Sequence, residues 1–139
     1  MTSQEKLIRF MEGKASLITK ATGKPSELYF NKKDEKYLRQ LDSQLARDIW
    51  LSIKEAIREG MEGLREDLCP FCLMAEGKCH ICPYAEHHEM CHHPYSHFAL
   101  LINSIDYNYG SAEKVLTNEF YVNLLRSIEK EDSKCQTSQ

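Results

Sequence analysis

At 139 residues, with 42% hydrophobic and 28% charged side chains, the chain can bury a core and is too apolar for a disordered segment. Its formal charge of -3 excludes a domain-wide basic surface, so nucleic acid or an anionic membrane would need a local patch. The longest apolar run, Phe98 to Ile102, is five residues, far short of the roughly 18 that span a bilayer.

Taken in chain order, Thr2-Ser3-Gln4-Glu5 has the S/T-x-x-E form of a capping box. Leu7, Phe10, Met11, Leu17 and Ile18 follow at roughly helical spacing, which predicts a short first helix. Ala21 to Ser26, with Gly23 and Pro25, reads as a loop. From Asn31 to Leu68 the apolar residues Leu38, Leu41, Leu45, Ile49, Ile53, Ile57, Met61, Leu64 and Leu68 recur in steps of three and four. That period predicts one long amphipathic helix, with Asp42, Lys54, Glu55 and Arg58 on its wet face and weak turns at Gly60 and Gly63. Trp50, beside Ile49, belongs to the core or to an interface. Phe98, Leu101, Ile102 and Ile105 suit a third helix, broken by Asn108-Tyr109-Gly110-Ser111. Val115, Leu116, Phe120, Leu124, Leu125 and Ile128 suit a fourth, after which the polar tail from Glu129 to Gln139 is expected to fray. No convincing alternation of period 2 and no internal repeat is found. The expected fold class is all-α: a single helical domain over residues 1–134 of about four helices, an inserted Cys-rich metal-binding loop at 69–94, and a disordered tail at 135–139.

Four of the six cysteines lie in CPFCLMAEGKCHIC, residues 69–82. The N-terminal MTSQEKLIRFMEG carries no secretory apolar run, so a cytoplasmic location is expected, where clustered cysteines indicate metal before disulfides. In C-x2-C both sulfurs can turn toward one point, about 2.3 Å from a zinc ion. The pairs Cys69/Cys72 and Cys79/Cys82 supply four thiolates for one closed tetrahedral site, with Gly77 at the reversal and Pro70 and Pro83 stiffening the knuckles. Cys91 offers a different set. Counted from Cys72, the spacing C-x6-C-x2-C-x8-C, with Pro83 after the third cysteine, resembles the cluster loop of iron–sulfur DNA glycosylases, C-x6-C-x2-C-x5-C. The resemblance covers only this loop, and its last spacing is three residues longer. The helix–hairpin–helix with catalytic Lys and Asp is missing, so the resemblance implies a possible 4Fe-4S cluster on Cys72, Cys79, Cys82 and Cys91 and no glycosylase activity. Cys135, in the polar tail, has no structural role in either set. Reduced cysteine without metal, serving redox or packing, is the remaining reading.

Glu86 to Pro94 contains H-E-x-x-H at His88, Glu89 and His92. In the zincin peptidases such a pair of histidines, one helical turn apart, grips a catalytic zinc while the glutamate acts on its water. Pro94 interrupts the helix that motif needs, and His97 stands one residue short of the spacing for a third ligand. A solvated His-rich stretch, with His80, His88 or His92 donating to a thiolate or completing a mixed site, is the plainer expectation. No P-loop, G-x-G-x-x-G or G-x-S-x-G is present. The expected function is therefore a small zinc-binding helical protein, a non-enzymatic binding or adaptor module. Its partner would be another protein or a second copy, met through the long amphipathic helix. An iron–sulfur redox or sensing role is the alternative, and a metallopeptidase the third.

Overall fold

Helix α1 (Ser3–Thr22) begins where the capping pattern places it, with the Thr2 hydroxyl accepting the Glu5 N–H at 3.1 Å. The computed structural model describes residues 1–59, 69–76, 78–88 and 118–137. The helix closes at Gly23, whose φ of 74° is left-handed and whose N–H donates to the Thr19 carbonyl at 2.8 Å. Only glycine takes that conformation without steric cost. Leu7, Ile8, Phe10, Met11, Ala15 and Ile18 of α1 are buried, and α1 packs against every longer helix described.

A 3-10 turn at Ser26–Leu28 leads to α2 (Lys32–Arg39), and α3 (Ser43–Arg58) follows after a break. The single helix expected from Asn31 is thus two. Asp42 Oδ2 accepts the N–H groups of Gln44 and Leu45 at 3.0 and 3.1 Å, starting a new helix where the apolar spacing runs on unbroken. Gln4 of α1 donates to the freed Leu41 carbonyl at 2.9 Å and fixes the break from outside. The reset also turns the face. On α3 the buried set is Ala46, Ile49, Trp50, Ile53 and Ile57, while Leu45 is exposed. Trp50 belongs to the core.

The last helix, α6 (Asn118–Thr137), buries Tyr121, Leu125 and Ile128 one turn apart against α1 and α3. Gly13 lets α1 lie close to it, since a Cβ there would come within 2.6 Å of Leu124 Cδ1. The helix continues well past Glu129, against the expected fraying. Three of its carboxylates are paired rather than merely solvated. Glu129 meets Lys54 at 2.8 Å, Glu131 meets Arg9 at 3.0 Å, and Asp132 meets the N-terminal ammonium at 3.1 Å and Lys6 at 3.2 Å. The N-terminal ammonium bonded to Asp132, and next Lys6, hold that carboxyl below its ordinary pKa.

Among the described residues all regular structure is helical, and no helix is long and apolar enough to cross a membrane. The expected helix at Phe98–Ile105, the break at Asn108–Ser111, the glycines at 60 and 63, and Val115 and Leu116 lie outside the described residues.

Candidate metal centre

The Cys-rich segment is more regular than the sequence suggests. Pro70, with its fixed φ and no N–H, opens α4 (Pro70–Met74) directly after Cys69. A 3-10 turn follows at Cys79–Ile81, and Pro83 opens α5 (Pro83–His88) directly after Cys82. The reversal between the two arms begins at Glu76, which takes a left-handed φ of 53°. Gly77, expected to make it, lies outside the described residues.

Rings attach both arms to the core. Phe71, between Cys69 and Cys72, is buried and stands 5.3 Å from the ring of Tyr84, two residues past Cys82. Phe71 also meets Tyr37 of α2 at 6.0 Å, and Tyr84 meets Tyr29 at 6.2 Å. The Tyr84 hydroxyl donates to the Tyr29 carbonyl at 2.7 Å, satisfying two buried polar groups at once. Such ring pairs contribute roughly 0.5–1.5 kcal/mol each beyond their buried area. The segment's order thus has an aromatic source that the cysteine spacing does not reveal.

Cys69 is buried in the core cluster, and Cys72 and Cys82 pack against it half-buried. All three carry thiols rather than disulfides. Burial pushes the Cys69 thiol above its ordinary pKa. The charge of Lys14 and the backbone N–H groups of Cys72 and Phe71 pull the other way, and Cys82 lies near enough to push it up again. Phe71 and Tyr84 each stand two residues past a cysteine, Cys69 and Cys82, so their ring contact joins the two arms of the segment. Among the described residues no three His, Cys, Asp or Glu groups already form a metal-holding set. The Cys79 side chain and the whole of Cys91 lie outside the described residues, as do Glu89, His92 and His97.

His80 is exposed. His88 is buried and faces away from solvent for a different reason: its Nε2 lies 2.8 Å from Asp34 Oδ2, both side chains being 1% exposed. Asp34 is held in turn by the capping box of α2, where Asn31 Oδ1 accepts the N–H of Lys33 and Asp34 and Asp34 Oδ2 accepts the Asn31 N–H at 2.9 Å. Those bonds leave the Asn31 amide nitrogen as the group 3.4 Å from His88 Nε2. Both are donors if the His88 proton sits on Nε2, which places the strong interaction with the carboxylate. Tyr84 stacks on the imidazole, with centroids 4.0 Å apart. In this arrangement His88 Nε2 is engaged by a carboxylate from α2.

The cysteine spacing does not point to four of the residues that build this region. Asp34 could have been found from the N-x-x-D spacing to Asn31. Lys14 fills the gap in the apolar stripe of α1 between Met11 and Leu17, and it is 1% exposed. Phe71 and Tyr84 leave no periodic signal, because their helices are five and six residues long. Comparison with protein-family models, curated proteins and solved structures returns no match.

Proposed function

We propose that Cys69, Cys72, Cys79 and Cys82 hold one zinc ion in a closed, structural site, and that the protein is a non-enzymatic binding or adaptor module. The observation that supports this most is the Phe71–Tyr84 contact. One ring lies inside the first C-x2-C pair and the other just beyond the second, so packing the rings draws the two pairs together. Four thiolates fill the tetrahedral preference of zinc and leave no open position for substrate or water, which is the form of a structural site. Binding would add folding free energy, since the unfolded chain has no such site.

An adaptor also needs a surface. On α3, Ala46, Ile49, Trp50, Ile53 and Ile57 are buried within the chain. Leu51 of α3 and Ile81 beside Cys82 are exposed at 52% and 57%, and a protein partner or second copy would meet those. A zinc knuckle would hold Ile81 in a fixed place.

Elemental analysis of full-length protein purified without oxygen tests the reading. One zinc per chain is expected, lost in Cys69→Ser and Cys82→Ser and kept in Cys91→Ser and Cys135→Ser. Iron with inorganic sulfide, lost in Cys91→Ser, would replace it by the 4Fe-4S alternative. Protein without either metal would overturn both.

A further inference from the structure

Helix α2 buries Asp34 and Leu38 and turns the rest of its surface outward. At about 100° per residue, Arg39, Lys32, Lys36, Gln40, Lys33 and Tyr37 follow one another round a continuous arc of about 160°. All six are exposed, and no carboxylate of the helix falls inside the arc. Arg39, at one end, is answered by Glu35 at 2.8 Å, with Glu5 and Glu12 of α1 acting on it from further off. Among the described residues nothing pairs with Lys32, Lys33 or Lys36. Lys32 and Lys36 stand one turn apart as a like-charge pair, which weakens a helix and which an anion between them would relieve. Tyr37 closes the other end of the arc, 37% exposed. Its hydroxyl donates to Met74 Sδ at 3.1 Å and its ring lies 6.0 Å from Phe71, so the ring is held in place while part of it meets solvent.

We propose that this outer face of α2 binds single-stranded nucleic acid, with phosphates along Lys32, Lys33 and Lys36 and a base stacked on Tyr37. Cations beside a fixed aromatic ring match what such a strand offers: charge holds the backbone and the ring takes the base. An acidic peptide would use the lysines and leave the ring idle. A lipid surface would require several apolar side chains on the same arc, and it holds no Leu, Phe or Trp. The chain's overall charge of -3 does not oppose the contact, because exposed charges more than about 8 Å away are screened at physiological salt. The surface lies on α2 and does not depend on the zinc reading.

The test is fluorescence anisotropy of the full chain with a labelled oligouridylate of roughly twelve nucleotides, titrated across a salt series. Three phosphate contacts on a single strand predict that log affinity falls against log salt with a slope of about -2. The triple variant Lys32→Gln, Lys33→Gln, Lys36→Gln should bring that slope to about zero. Tyr37→Leu keeps an apolar contact for Phe71 and removes the stacking, so it should weaken binding by about 5–150-fold with the slope unchanged. The three lysine side chains are exposed and unpaired among the described residues, so the triple variant folds and decides alone if Tyr37→Leu does not. Wild type that leaves the oligouridylate unbound at low salt, or a triple variant with the wild-type slope, would overturn the proposal. Polyglutamate or phosphatidylserine vesicles bound as tightly as the oligouridylate would overturn it too, by showing a surface that reads charge alone.

Discussion

Replacing either partner of the Asp34–His88 pair should destabilise the fold more than any surface change, and by a coupled amount. Asp34 Oδ2 receives two contacts, from the Asn31 N–H at 2.9 Å and His88 Nε2 at 2.8 Å, in a site where both side chains are 1% exposed. A hydrogen bond to a charged group contributes about 1.5–3 kcal/mol, and a charge left buried without its partner raises the loss to about 3–5 kcal/mol. His88→Ala also withdraws the ring on which Tyr84 stacks. It should therefore cost about 4 kcal/mol, and Asp34→Ala about 3, since the return bond to the Asn31 N–H goes with it. Because each single change removes the same interaction, the double variant should cost about 2 kcal/mol less than the two losses added together. Urea unfolding followed by far-UV circular dichroism gives all four corners of the cycle. The reasoning extends to dynamics. Amides of residues 84–88 should exchange faster in Asp34→Ala, because the anchor of α5 is gone. Two additive losses, each under about 1 kcal/mol, would show that the pair is a solvated contact and that α5 is held by something else.

Other changes report on other links. Asp132→Asn should lower stability by about 0.5–1 kcal/mol at neutral pH, as expected for a half-buried ion-pair cluster. The folded carboxyl lies below its ordinary pKa, so this stabilisation is present above the unfolded value of about 3.9 and is lost as pH falls through the depressed folded value. Thermal melts of the two proteins should therefore converge in acid, and a gap that widens there would reverse the sign. Gly23→Ala places a Cβ in open space but at a φ of 74°, so only the backbone term of about 1–2 kcal/mol should appear in denaturant unfolding. A neutral or stabilising result would mean that α1 does not end in the left-handed region. Tyr84→Phe leaves the Tyr29 carbonyl without its 2.7 Å donor and should cost about 1–3 kcal/mol, with the larger effect on hydrogen exchange of α5 than of α3.

The all-α class was legible because α1, α3 and α6 each put an apolar stripe on one face at helical spacing, and nothing competes with period 2. The break at Gln40–Asp42 was not, for a physical reason. Leu38, Leu41 and Leu45 keep the spacing across it, while the signal that ends the helix is a side-chain cap at Asp42 and an outside bond from Gln4. The end of α6 is hidden in the sequence because charge density looks the same whether it faces water or ion partners, and those partners lie on α1 and α3. In the candidate site, the cysteine spacing shows which residues could meet a metal. The scaffold that arranges them is hidden from it. The Phe71–Tyr84 contact joins two helices too short to show a period, and the Asp34–His88 bond joins residues more than fifty positions apart.

The zinc account meets its most direct test in X-ray absorption at the zinc edge, on full-length protein purified without added metal. It predicts one zinc per chain whose first shell is four sulfurs at about 2.3 Å, with no light-atom ligand. A first shell of nitrogen and oxygen, or a chain that carries no zinc, would contradict it.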